Sequence, residues 1–339
     1  MFPNLFVPQH RFEWLTGILN LRWFTAALVK PFGRVGRRVA TLRSLHSLPA
    51  RRSPNPDEMS APPESLSMGP DLNSAGRPAP CANPEWHSTK EHQAGALIIN
   101  ADDWGRDEKN TNRICECVER RTVSSVSAMV FMEDSERAAA IAQERGMDAG
   151  LHLNFTTPYS ASDCPARLAD RQRELAAYLR SRRLGRVIFH RGLVRSFDYV
   201  VASQIEEFHR LYRQAPNRLD GHHHMHLCAN VLFGKLLPAG TIVRRNETFL
   251  PSEKGLINRL YRGALDRILE RRHRIVDFFF TLAPIKPAAR LQRIFSLSRE
   301  FVVELETHPV DPEEYRLLRS EEIFAQIGNL QIARKFDLA

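Results

Sequence analysis

The sequence predicts an α/β fold: a (β/α) barrel-like domain of about seven parallel strands. From residue 95 onwards, short apolar or β-branched runs alternate with longer charged stretches of helical composition. Strand-then-helix order, repeated, makes consecutive strands parallel with helices as crossovers. An open doubly wound sheet stays open as the alternative, but no G-x-G-x-x-G follows the first run, so a dinucleotide site has no support.

The elements follow in order. Residues 96–101 (ALIINA) form an apolar run suited to a buried strand, and 108–121 a charged helix. Residues 123–132 are β-branched and apolar, a second strand. Residues 135–145 are Ala-rich with mixed charge, a helix. Residues 149–154 (AGLHLN) make a third strand, followed by helices over 167–182 and 199–214. A fourth strand begins at 218–221. Strands at 240–245, 275–282 and 301–306 are separated by helices over 256–271 and 287–295.

The region before residue 95 has a different composition. Eight of the 21 prolines fall within residues 53–84, with no apolar periodicity, which is too little apolar surface to offset the entropy of ordering. Residues 1–94 are therefore expected to be a basic, then Pro-rich, disordered extension. Residues 95–339 are expected to be a single catalytic domain.

The net charge is +9, but residues 1–60 alone hold nine Lys and Arg against three acids. The remainder is nearly balanced, so no nucleic-acid partner is expected. The longest apolar stretch, 15–29, is interrupted by Asn20 and Arg22 and is too short for a span. An amphipathic surface segment, a poor signal sequence and a start-site artefact all stay open for it, and with them membrane association of the tail. The five cysteines show no disulfide framework or zinc-knuckle spacing, so a reducing, cytoplasmic location is expected. A homodimer is compatible with the sequence.

Four groups of Asp and His stand at or just after expected strand ends, where loops of parallel α/β folds converge. The first is Asn100-Ala101-Asp102-Asp103-Trp104-Gly105. Adjacent carboxylates repel unless a cation relieves them, and successive residues point different ways, so one can bind a metal while the other faces a substrate. The plain alternative is a helix cap and turn acid before residue 108. The second is His152 in Gly-Leu-His-Leu-Asn; alone, such a histidine is more often a satisfied core residue. The third, Asp220-Gly221-His222-His223-His224-Met225-His226, has four His in five positions. A strand would put His222, His224 and His226 on one face, and a helical turn would pair His222 with His226. Either presents two imidazoles to one ion, whereas a solvated His-rich loop would not. The fourth is Glu306-Thr307-His308-Pro309, where Pro309 ends the strand and leaves His308 at a rim.

Together, N-A-D-D-W-G at 100–105, G-L-H-L-N at 150–154, L-D-G-H-H-H-M-H at 219–226 and H-P at 308–309 resemble the YdjC/ChbG-type carbohydrate deacetylases. The resemblance covers residues 96–325 and implies a barrel-like fold with a divalent ion, usually Mg2+, with Zn2+ as an alternative. It implies Asp103, His152 and His222 as metal ligands, His226 as a fourth candidate, Asp102 as catalytic base and His308 as acid. Asp220 would orient a ligand histidine. The implied activity is removal of acetyl groups from N-acetylated oligosaccharides or glycolipids. Trp104 stands where the family usually has Phe and is expected to alter the pocket wall, and the loop 155–163 is expected to select substrate. Two other readings remain: a metal-dependent phosphoesterase or amidohydrolase of another barrel family, and an inactive binding protein. The first lacks an early H-x-H and a phosphate-cradling glycine loop, and the second sits poorly with four intact motifs.

Overall fold

The computed structural model describes residues 95–181, 184–249, 255–330, 332, 333 and 336. The extension expected over 1–94, with its apolar stretch, lies outside the described residues.

A seven-stranded parallel sheet organises the rest. Its strands are β1 (Ala96–Trp104), β2 (Ser125–Ala128), β3 (Asp148–Leu153), β4 (Arg218–Gly221), β5 (Ile242–Val243), β6 (Phe278–Thr281) and β7 (Val302–Thr307). Their spatial order is β5-β4-β3-β2-β1-β7-β6. The sheet curls until its edges meet. Ile242 of β5 pairs with Arg274, and the Thr248 N–H donates to the Phe279 carbonyl of β6 at 2.7 Å. The barrel-like expectation therefore holds.

The helices are α1 (Glu108–Glu119), α2 (Ser135–Glu144), α3 (Ala166–Ser181), α4 (Val194–Tyr212), α5 (Ala229–Gly234), α6 (Leu256–Glu270), α7 (Ala288–Leu297), α8 (Pro312–Arg319) and α9 (Glu321–Ile327). α4 shows why they pack on the sheet: Phe197, Val200, Val201, Phe208 and Leu211 repeat at helical spacing and are all buried. α1 begins where Asp107 accepts the Asn110 N–H at 2.8 Å, so Asp107, not Asp102 or Asp103, caps it. Among the described residues no helix is long and apolar enough to cross a membrane.

Strand alternation sorts the interior. In β1, Leu97, Ile99 and Ala101 join the main core, whereas Ile98 joins a second cluster with Ile242, Val276, Phe279, Val302 and Phe336. That second cluster draws on β1, β5, β6 and β7 and forms an apolar floor inside the barrel. The same inward parity continues along the strands as Asn100 and Asp102, Ser125 and Ser127, Arg218 and Asp220, Glu304 and Glu306. Above the apolar floor the barrel is thus filled with polar groups.

The structure departs from the expected elements in particular places. β1 runs three residues further than expected, through both aspartates, and β2 and β5 are shorter. α5, α8 and α9 were not expected. α8 carries its own start signal: Asp311 accepts from the Glu313 and Glu314 N–H groups, and Pro312 fills the first turn. The histidine run is neither a strand nor an α-helical turn. It forms a 3-10 segment, His222–Leu227, in which His223 and His224 hold left-handed backbone at φ 57° and 56°.

Candidate active site

The strand order places β4, β3, β2, β1 and β7 side by side, so their C-terminal ends bring the four Asp/His motifs to one mouth. A bulge makes the first motif work. Ala101 pairs with Val126 and Trp104 with Ala128, so three steps on β1 face two on β2, and Asp103 takes a left-handed φ of 66°. Regular pleating would turn one aspartate away from the interior. The bulge leaves both carboxylates buried at the mouth, each 1% exposed.

Asp103, His152 and His222 converge. Their donor atoms lie within 4.8 Å of one another. Asp103 Oδ1 is 2.9 Å from His222 Nδ1 and 3.5 Å from His152 Nε2. Asp103 Oδ1 and His152 Nε2 are buried without a hydrogen-bond partner, a costly state unless another species satisfies them. His152 is fixed from behind, because its Nδ1 lies 2.7 Å from Asp220 Oδ1, which points Nε2 at Asp103. Asp220 is itself held by Ser127 at 2.5 Å and by Arg218 at 3.3 Å. One carboxylate and two imidazoles, with orphaned lone pairs facing each other, fit a divalent cation. The group could hold a metal ion.

His226 does not join them. Its Nε2 lies 2.9 Å from the Arg244 carbonyl, and it belongs to none of the described groups of converging donors. The tight turn at Gly221 explains this placement: a Cβ there would lie 3.0 Å from His226 N and 3.1 Å from its ring. His223 faces Thr156, with its Nδ1 3.0 Å from the hydroxyl, and His224 Nε2 is 3.6 Å from Glu306 Oε2.

Asp102 sits one residue and one task away. Arg244 grips it in a fork, with Nη1 to Oδ2 at 2.7 Å and Nη2 to Oδ1 at 2.8 Å, and Asn100 Nδ2 donates to Oδ1 at 2.8 Å. Arg244 also donates through Nε to Glu304 at 2.8 Å and reaches Asp220 at 3.2 Å. Burial pushes the Asp102 carboxyl up, but Arg244 and the neighbouring His152 hold it well below the usual carboxylate range. Glu306 goes the other way: burial and the Asp102 charge push it well above its ordinary value. Two carboxyl groups set apart in this way make an ionised and a protonated partner. His308 completes this side, with Nε2 3.5 Å from Glu306 Oε1 and its backbone N–H donating to Glu314 at 2.6 Å. Its side chain is 18% exposed where Asp102 and Glu306 are 2% and 5%, so it alone of the three borders solvent.

Asp103 is likewise pushed up by burial, yet His222, His152 and Arg106 hold it well below the usual range. Asp220 is pushed up by burial and brought down to about 2 by Arg244 and His152. Five buried carboxyl groups (Asp102, Asp103, Asp220, Glu304, Glu306) share the mouth with two buried guanidiniums, Arg218 and Arg244. That excess of acid suits a protonated Glu306 together with a bound cation.

Sequence reasoning brought forward Asp102, Asp103, His152, His222 and His308, and all five meet here. It missed Arg244, Arg218 and Glu304, and gave Glu306 no role although it opens the fourth motif. Their signal was charge inside strands otherwise made of buried apolar residues, as in Val-Val-Glu-Leu-Glu-Thr at 302–307. Trp104 does not form a pocket wall: it is fully buried in the main core, near Tyr212 of α4. The loop after β3 does line a cavity, of about 360 Å³, through Thr156, Pro158 and Tyr159 opposite α3.

Over 141 residues the chain is 30% identical to a chitooligosaccharide deacetylase from Enterobacter sp. (strain 638), covering 39% of this chain and 50% of that one. It is 28% identical over 171 residues to a carbohydrate deacetylase from Mus musculus, covering 47% and 52%. The chain thus spans about half the length of the curated relatives it matches. A solved structure from Enterococcus faecalis V583, described as a cellobiose-phosphate cleavage protein, shares the fold with a TM-score of 0.50 at 19% identity, covering 71% of this chain and 97% of that one. Residues 96–328 match the family described as YdjC-like protein, and the chain belongs to that family.

Proposed function

We propose that residues 95–339 form a metal-dependent hydrolase domain that removes acetyl groups from N-acetylated carbohydrates. The observation that carries this reading is the convergence of Asp103, His152 and His222 beside an ionised Asp102 and a rim histidine. The names of its relatives support the carbohydrate substrate.

Asp103, His152 Nε2 and His222 would hold the ion, with Asp220 orienting His152. The family resemblance implies Mg2+; two imidazole nitrogens and a carboxylate also suit Zn2+, and metal analysis of the purified chain decides between them. When bound, such an ion supplies Lewis acidity, making water more acidic and drawing charge from a carbonyl oxygen.

The chain's own residues supply the proton chemistry. Asp102, ionised and forked by Arg244, takes the proton of the attacking water. Arg244 and Asn100 fix the direction from which it does so. Glu306, protonated, presents no competing negative charge beside that base. His308 Nε2, at the solvent border, gives a proton to the departing sugar nitrogen. General acid–base help of this kind is worth roughly 10²–10⁴-fold.

Acetate release from N-acetylglucosamine oligomers, measured with and without chelator, tests the reading. Asp102→Asn is expected to keep its metal and lose roughly 10²–10⁴-fold in kcat. Acetate release that survives the chelator, or an Asp102→Asn variant as active as the parent, would overturn it.

A further inference from the structure

The surface beside the mouth carries apolar side chains that the core does not use. Leu256, Ile257 and Leu260 share one face of the first turns of α6 and are 69%, 77% and 65% exposed, while Leu265 and Leu269 on the opposite face are buried. Leu184, Ile188 and Phe189, in the segment before α4, and Phe233 of α5 are exposed as well. Among the described residues only one other large hydrophobic side chain, Phe301, is exposed in this way. Scattered single apolar residues are ordinary on a soluble surface, but seven of them in three neighbouring segments mark a contact surface.

The three segments adjoin. The Arg186 carbonyl accepts the Ala229 N–H at 2.8 Å, and His190 and Asn230 exchange two hydrogen bonds, at 2.9 and 3.0 Å, so residues 184–191 are tied to α5. Tyr261 of α6 lies close enough to Arg186, and to Cys228 just before α5, to interact electrostatically with both. The histidine segment runs directly into α5, and α6 comes after the C-terminal end of β5, so the patch borders the mouth.

Its charge has one sign. Residues 184–191, 228–237 and 255–265 contain five cations, Arg186, Arg191, Lys235, Arg259 and Arg262, and no Asp or Glu. Arg191, Lys235 and Arg259 are exposed. Exposed Leu, Ile and Phe set among Arg and Lys match a bilayer with anionic headgroups: the apolar side chains enter the acyl boundary and the cations stay among the phosphates. A second copy docked through the same face would set these cations against themselves. Residues 1–60, with nine Lys and Arg against three acids, do not complement the patch either.

We infer that α6, α5 and residues 184–191 form a docking surface for an anionic lipid bilayer, on which the domain lies with its mouth beside the headgroups. No step of the hydrolysis is needed for this docking, so it stands or falls apart from the deacetylase reading.

The test sediments the full chain with vesicles of phosphatidylglycerol and phosphatidylcholine, or of phosphatidylcholine alone, and follows hydrogen–deuterium exchange of the bound chain. The chain should bind the mixed vesicles more tightly than the neutral ones, and less tightly as salt rises. Binding should slow exchange in peptides covering 184–191, 229–237 and 255–262, a readout that needs no variant. Leu256→Ser, Ile257→Ser and Leu260→Ser combined should weaken binding roughly 10- to 100-fold. Lys235→Gln with Arg259→Gln should weaken it roughly 5- to 30-fold on the mixed vesicles. All five side chains are exposed, so urea unfolding of both variants should match the parent's. No binding to the mixed vesicles, or slowed exchange confined to residues before 95, overturns the inference. Slowed exchange in the three segments that grows with protein concentration in the absence of lipid gives the face to a second copy and overturns it too.

Discussion

Arg244 is the residue whose replacement discriminates most sharply between a built catalytic network and an accidental cluster. It is 2% exposed and makes three hydrogen bonds to carboxylates, two to Asp102 and one to Glu304. Lysine keeps the charge but cannot present a fork, so Arg244→Lys loses at least one charge-assisted bond to Asp102, worth about 1.5–3 kcal/mol. With that bond weakened, the Asp102 carboxyl should rise. The sign follows from its role. Arg244 is the chief opponent of the burial that pushes Asp102 up, so weakening it favours the protonated form. The acidic limb of kcat/KM should therefore move to higher pH, with kcat lowered as the base loses its fixed direction. Arg244→Met removes the charge altogether and should cost about 3–5 kcal/mol of unfolding free energy, because buried carboxylates lose their counter-ion. The assays are a pH–rate profile on a chitooligosaccharide and urea unfolding at pH 7. An Arg244→Lys enzyme with the parental acidic limb and parental kcat would refute the assignment of Arg244 as the residue that positions and ionises the base.

Two further outcomes follow from the structure. Burial lowers His226 to about 4, so between about pH 4 and its unfolded value near 6.5 the unfolded chain binds more protons than the folded one. Stability of the chelated protein should then fall as pH drops through that window, by about 3 kcal/mol from this group, and His226→Gln should flatten the slope; equal slopes in thermal melts from pH 7 to 4.5 would contradict it. At Gly150 a Cβ would lie 2.7 Å from the Arg218 guanidinium carbon, inside the buried network that holds Asp220. Gly150→Ala should cost about 1–3 kcal/mol in urea unfolding, and parental stability would show that the network yields freely.

The three residues proposed to hold the metal were legible because each stood at or near the end of an expected strand, and parallel topology brings such ends together whatever their separation in sequence. Their neighbours were not, for a physical reason. Arg244 directly follows the two-residue β5, Glu304 and Glu306 alternate with apolar residues in β7, and which parity faces the barrel interior depends on how the sheet closes. The bulge at Asp103 was equally hidden: a left-handed aspartate leaves no compositional mark, yet it turns two adjacent carboxylates into one site. The histidine run was correctly placed but not correctly shaped. Two successive histidines in left-handed backbone are imposed by the surrounding fold, and that conformation sends His226 to the Arg244 carbonyl while leaving His222 beside Asp103. Trp104 looked like a pocket residue because of the company it keeps in sequence, but the end of β1 directs it into the core.

Anomalous diffraction from crystals soaked in Mn2+ or Zn2+ tests the shared cation site most directly. A single peak is expected about 2.0–2.2 Å from Asp103 and from one nitrogen each of His152 and His222, absent in His222→Ala and retained in His226→Ala. A peak bound elsewhere, or one that survives His222→Ala unchanged, would contradict the account.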